Sequence, residues 1–458
     1  MSLLGVFGLI AAALVIAFSS AVPYFSGSAG TTDLTQPFMM AASLAFAGIL
    51  VVPSAWYAWK YIDHPEQEPT RYSERRGFGL ILTILVVVLV GAALFIGNWA
   101  SQNNQIAWLV LPPLNIIATG LPALWVIYIG THGLFLGSPR RQWGVFASGL
   151  VLGPLIILIL ELILLILMGI IALLWVMLNP SLANQLNGVV FRLQTAGSNP
   201  DAALKALIPF LVNPGIIFLM FAYISVLIPL LEEALKPIGV WFLSRVKISP
   251  AQGFGYGVLS GAGFGLFVNL GNTSGGAAGW AVIASARIST TLLHSFTAGL
   301  VGWALASAWS ERRYFRLASA YLIAVIIHGL WNGLSLLSLA PSLQELSNIS
   351  LPVNLQRIVT FSPTGIVALG VIVFLFYIGF NSVLRRSAPS PTLPLPVDDH
   401  ILEPLEANSS SAFIAEPTQL APDMNTAQPS SQGSNPSTPE SNPPDPRDSD
   451  SPITGINQ

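Results

Sequence analysis

The chain has 458 residues, 53% hydrophobic and 9% charged, with 19 basic side chains against 21 acidic ones and no cysteine. A soluble globular domain carries about 25% charged residues, so that class is excluded. The missing cysteine excludes disulfides, thiol nucleophiles and Cys-ligated metals. The small net charge hides an asymmetry: ten acidic residues and one Arg (Arg447) follow Ala388, whereas 18 basic residues face 11 acidic ones before it.

Ten apolar runs approach or exceed the ~20 residues a bilayer requires: 3–23, 37–60, 77–99, 105–131, 143–178, 212–243, 253–272, 278–309, 314–340 and 360–384. They are continuous rather than alternating, and lipid forces every backbone group to be satisfied internally, so helices are predicted over a barrel. The fold class expected is all-α, a polytopic transmembrane bundle of ten spans with a disordered C-terminal tail. The first run resembles a signal peptide only weakly, since "MSLLG" has no positive charge, and a retained helix is expected. The fifth run is long enough for one tilted helix or for a helix plus a re-entrant piece. Three regions follow: an N-terminal membrane region of five helices (1–206), a second membrane region (207–387), and a Pro/Ser/acidic tail (388–458) too poor in apolar residues to fold.

Alternate connections carry Lys60, Arg71, Arg75 and Arg76, then Arg140 and Arg141, then Arg245 and Lys247, then Arg312, Arg313 and Arg316, then Arg385 and Arg386. The intervening connections hold Arg192, Lys205 and Arg357. This positive-inside bias predicts a multi-pass protein of the cell membrane with both termini in the cytoplasm.

Polar residues at bilayer depth are costly and mark function by default. They cluster in the second region: Glu232, Glu233 and Lys236 on the sixth span, Asn269 on the seventh, Arg287 and His294 on the eighth, His328 and Asn332 on the ninth. Glu161, on the fifth span, lies outside the cluster; it is either protonated and packed or part of a proton path. Lys236 stands one turn from both glutamates, His328 and Asn332 share a face, and so do Arg287 and His294. Two histidines and a carboxylate are the ligand set of many hydrolytic zinc sites. The carboxylate is Glu232 or Glu233, with His294 and His328 as the histidines. A second carboxylate is then placed to act as base, so that either Glu232 or Glu233 activates water. Asn332, one turn from His328, would orient it or bind an oxyanion. Pro229 and Pro237 flank the glutamates and would free carbonyls there for water or an unwound substrate. Six glycines at Gly253, Gly255, Gly257, Gly261, Gly263 and Gly265 predict close helix packing.

These residues also carry a resemblance. "PLLEEALKP" resembles the EExxK motif of PrsW-type intramembrane proteases, a superfamily that includes CAAX prenyl proteases and bacteriocin-processing proteins. "GFGYGVLSGAGFGLFVNLGN" is similar to its Gly-rich second motif, "RISTTLLHSFTAGLVG" to its third and "HGLWN" to its last. The resemblance implies an intramembrane metalloprotease acting on a membrane-protein substrate in the lipid bilayer, with zinc and without nucleic acid. It implies catalytic roles for Glu232, Glu233, Lys236 and Asn332, a metal-ligand set of Glu233, His294 and His328, and Arg287 and Asn269 supporting. One position departs: Val268 stands where the second motif has Glu, and the adjacent Asn269 points about 100° away on a helix. Two alternatives stay open, a non-catalytic relative like the scaffolding subunit of gamma-secretase, and a proton-coupled transporter.

Overall fold

The computed structural model describes residues 2–26, 33–62, 78–197, 200–211, 213–341 and 353–387. The tail expected to be disordered lies outside the described residues. Among those described there is no strand, and ten helical stretches are long and apolar enough to cross a membrane. The protein is an all-α, multi-pass membrane protein.

Four helices open the chain: α1 (Ser2–Phe25), α2 (Thr35–Lys60), α3 (Phe78–Ala100) and α4 (Asn104–Thr131). The fifth span is one helical run. It comprises α5 (Pro139–Ala147), a π-helical turn (Ser148–Leu152) and α6 (Gly153–Met177). Of the two arrangements its length allows, the fifth span takes the single helix, with Pro154 two residues beyond a widened turn and not at the end of the helical run. Two shorter helices follow, α7 (Pro180–Ala196) and α8 (Pro200–Leu211). The sixth span is α9 (Pro214–Ala222), a second π turn (Tyr223–Leu227), α10 (Ile228–Leu235) and α11 (Ile238–Trp241). Then come α12 (Pro250–Thr273), α13 (Trp280–Glu311), α14 (Tyr314–Ser338) and α15 (Val353–Ser387).

α12 and α13 form the buried centre, and glycine is the reason. A Cβ on Gly257 would run into the Ala298 carbonyl, and one on Gly261 would lie 2.6 Å from the Ala298 Cβ. On the other face, a Cβ on Gly263 would lie 2.6 Å from the Phe146 carbonyl oxygen. The seventh span therefore touches two neighbours backbone to backbone, as small residues permit in lipid. Its N-terminus is closed by a capping box between Ser249 and Gln252. α1, α3 and α6 lie outside this centre and expose Leu, Ile, Val and Phe, as Leu158, Leu162 and Ile166 do on α6. That is the surface a bilayer covers.

A buried polar knot ties the first helices to this centre. Ser43 and Ser274 hydroxyls meet at 2.9 Å, the Asn115 amide donates to Ser43, and the Trp280 indole donates to Asn115. At the opposite end α15 is pinned to α4, where Tyr377 and Asn381 donate to the Val126 and Gly130 carbonyls at 2.7 Å each.

Gly257→Leu should therefore prise α12 from α13. We expect a loss of at least about 1–3 kcal/mol, the usual cost of overpacking. It reads as a lowered thermal midpoint or a lost monodisperse peak in detergent. Gly169→Leu on α6, where an added Cβ meets nothing within 4 Å, should leave both unchanged.

Candidate metal centre

The site begins with an interrupted helix. Each π turn ends two residues before a proline, Leu152 before Pro154 and Leu227 before Pro229. A proline has no N–H for the carbonyl one turn back, and a wide turn accommodates the mismatch. Pro237 goes further: α10 ends at Leu235 and α11 restarts at Ile238. The carbonyls along this stretch do not stay open for water. Ile224 accepts from the Asn332 Nδ2 at 3.0 Å, Leu230 from the Tyr321 hydroxyl at 2.6 Å, and Lys236 from the Ser260 hydroxyl at 2.6 Å. Asn332 does sit one turn from His328, but its amide is spent on the π turn, not aimed at a reacting oxygen. Ser260, inside the Gly-rich second motif, and Tyr321, outside the motifs, have no sequence signal of their own that marks these bonds.

The one-turn spacing of Lys236 from both glutamates closes as expected. The Lys236 Nζ lies 2.8 Å from a Glu232 oxygen and 2.8 Å from a Glu233 oxygen. Lys236 and Glu233 are fully buried, while the Glu232 side chain keeps 13% of its surface. The ammonium also stands 5.3 Å from the centre of the Phe264 ring. The two carboxylates, adjacent in sequence, diverge by the 100° step of a helix.

Glu233 turns inward to His328, whose Nδ1 lies 2.9 Å from the carboxylate oxygen that Lys236 also holds. The same Nδ1 also lies 3.2 Å from the Lys236 ammonium. With the proton on Nδ1, donated to Glu233, the Nε2 lone pair is left on the side of Glu232, 3.9 Å from its oxygen. His294 completes the group: its ring stands edge-on to His328 with centroids 5.5 Å apart, and against Phe264 at 5.2 Å. Gly265 makes room for it, since a Cβ there would lie 3.2 Å from the His294 ring. His294 is buried and its Nδ1 has no hydrogen-bond partner.

One donor atom each from Glu232, His294 and His328 lies within 4.8 Å of the others. The expected ligand set named Glu233; the structure gathers Glu232 instead, because Glu233 is turned toward Lys236 and the far nitrogen of His328. The residues fit a small divalent cation. There are three donors of the right types, one histidine whose far nitrogen lies 2.9 Å from a carboxylate, and one buried nitrogen without a partner.

The supporting residues divide. Asn269 bonds across to α13, through the Arg287 carbonyl at 2.9 Å and the Thr291 hydroxyl at 2.7 Å, and accepts from Thr290. The Arg287 side chain is within electrostatic reach of Glu232. Val268 is half-buried one turn beyond Gly265. Glu161 is the residue the sequence left without a partner. α6 packs on α10, and the Tyr223 hydroxyl donates to the Glu161 backbone carbonyl at 3.1 Å. Its standing as the single charge of α6 was the only signal available.

A family model described as "PrsW family intramembrane metalloprotease" matches residues 139–375, just over half of the chain. The matched region runs from α5 into α15 and contains every residue of the site, and Glu161. Neither curated proteins nor solved structures give a match.

Lys236→Met should strand two carboxylates in the core. Removing one partner of a buried ion pair costs about 3–5 kcal/mol, so the thermal midpoint should fall by several degrees in detergent. Arg313→Met, which breaks the exposed pair with Glu311, should leave it within error.

Proposed function

The chain belongs to the PrsW family of intramembrane metalloproteases, and on that premise we propose that it is an endopeptidase cleaving a membrane-protein substrate near or within the bilayer. In this reading zinc is held by Glu232, His294 and His328. The observation that carries it is the placement of His328: its Nδ1 lies 2.9 Å from Glu233, and its Nε2 faces the same space as Glu232 and the unpartnered His294.

Bound there, a zinc ion would polarise the scissile carbonyl and acidify the attacking water. The protein's own residues do the rest. Glu233 fixes the tautomer and orientation of His328. Lys236 pairs with both carboxylates in a buried setting, at 2.8 Å from each. Arg287, within reach of Glu232, is the cation available to a developing oxyanion, since Asn332 is engaged with Ile224. Asn269 holds α12 against α13 at the level of Arg287 and His294. The 13% of the Glu232 side chain that stays accessible marks the side from which substrate enters. We place the protein in the cell membrane with both termini cytoplasmic, an orientation supported by the positive-inside distribution of Lys and Arg.

Metal content tests this. The full chain, purified in mild detergent without chelator or His-tag carry-over, should hold about one zinc per chain by mass spectrometry. The His294→Ala/His328→Ala variant should hold none. A metal-free native chain would sink the reading. A metal-free native chain whose Val268→Glu variant binds zinc would instead favour a non-catalytic relative.

A further inference from the structure

A cavity of about 240 Å³ lies between α2, α4, α5 and α12. Gly120, Ala123, Leu124 and Ile127 line it from α4. They fall at i, i+3, i+4 and i+7, which is one helix face, and the first two are too small to fill the space. Phe46 and Leu50 of α2, Trp143 of α5, and Leu259 and Leu266 of α12 enclose the rest. Phe264 of the same helix, which meets Lys236 and His294, points about 140° away from Leu259, so the cavity is on another side of α12 from the metal centre. An apolar cavity of about 150 Å³ already takes up benzene, and this one has room for a longer piece of hydrocarbon. Leu124 keeps 55% of its surface exposed, so the cavity opens sideways, on a face that the bilayer covers.

One end of the cavity is polar. Gln142 of α5 lines it there and donates to the Gly137 carbonyl at 3.0 Å. On this side α2 ends with Lys60, and α5 begins with Pro139 and Arg140. Lys60 and Arg140 are exposed. The Arg140 Nη1 donates to the Tyr61 carbonyl at 3.5 Å and the Lys60 ammonium stands 5.2 Å from the Tyr61 ring centre, so both cations are held at the end of α2. Among the described residues neither of them meets a carboxylate. The depth also fits a lipid. From Lys60 back to Phe46, α2 descends about 21 Å at 1.5 Å per residue. Half a bilayer with its headgroups is about 20–22 Å thick.

We propose that this cavity is a binding site for one acyl chain of an anionic phospholipid, whose phosphate is held by Lys60 and Arg140. The lipid comes from the leaflet on the side placed above in the cytoplasm. The lining selects hydrocarbon, because a void at this depth leaves its walls without contacts. The two cations select a negative headgroup, as basic pockets between membrane helices do on that side. The chain then runs down α2 past Gln142 and ends beside Phe46 and Leu266.

Photolabelling tests this. The full chain is reconstituted in phosphatidylcholine vesicles that contain a trace of phosphatidylglycerol bearing a diazirine on its acyl chain. A second sample carries the same trace of diazirine-labelled phosphatidylcholine. After illumination, the labelled residues are mapped by mass spectrometry. Leu259 and Leu266 keep only 7% and 3% of their surface, so lipid on the outside of the bundle cannot reach them, whereas a chain in the cavity can. Both should be labelled, about tenfold to thirtyfold more by the phosphatidylglycerol probe than by the phosphatidylcholine probe. Lys60→Gln/Arg140→Gln, which changes two exposed side chains, should bring that ratio to about one and leave the labelling of Leu158 and Leu162 on α6 unchanged. Leu124→Trp should lower the labelling of Leu259 and Leu266 by both probes. Labelling confined to the outer helix faces overturns the proposal, since the cavity would then hold no lipid. Equal labelling of Leu259 and Leu266 by the two probes in the native chain, or a ratio that survives Lys60→Gln/Arg140→Gln, overturns the anionic headgroup and leaves a cavity that takes hydrocarbon alone.

Discussion

Everything at this site depends on one ammonium. Lys236 is fully buried and touches a carboxylate oxygen of both Glu232 and Glu233 at 2.8 Å. A charge in lipid is tolerated only when it is paired or faces a cavity, and two adjacent glutamates need more than each other. Placed one turn on, a single lysine serves both. On each carboxylate the oxygen that meets the lysine also faces a nitrogen of His328, Nδ1 at 2.9 Å for Glu233 and Nε2 at 3.9 Å for Glu232. Because the helix turns 100° between the two glutamates, they reach opposite sides of that ring.

That division is upheld by packing from outside α10. Glycines along α12 bring α13 to backbone contact, which carries His294 beside His328 and lets Gly265 receive its ring. The π turn before Pro229 is stabilised by Asn332 of α14, one turn from His328, so the two helices that carry the carboxylates and the histidine are locked in register. Ser260 does the same at the Pro237 break, where its hydroxyl donates to the Lys236 carbonyl and accepts from the Gly239 N–H. Irregular backbone survives at bilayer depth here because neighbouring helices satisfy it.

The readable part of the site was the part written in local spacing. Glu232, Glu233 and Lys236, and His328 with Asn332, are pairs one turn apart, and such pairs announce a shared face. Two readings changed for the same reason. Glu233 and Glu232 exchange places in the donor set, and Asn332 serves a carbonyl instead of a reacting oxygen. Neighbours on one helix are fixed by its period, but which partner helix each side chain meets is not. Glu161 had no companion within a turn, so nothing local could attach its helix to α10, about 70 residues further along the chain. The polar knot of Ser43, Asn115, Ser274 and Trp280 was invisible likewise, each member being an ordinary residue in its own helix.

Sequence alone determined ten helical spans, the depth of the polar residues and the family those residues resemble. The first two follow from composition and from the 3.6-residue period, which are properties of one helix at a time; the resemblance is carried by four short motifs. Tertiary structure alone decided which glutamate joins the two histidines, what Asn332 holds and that α6 packs on α10. These are contacts between helices, set by rotation and close approach, and in this chain they hinge on glycines that admit a neighbour and prolines that shift a turn.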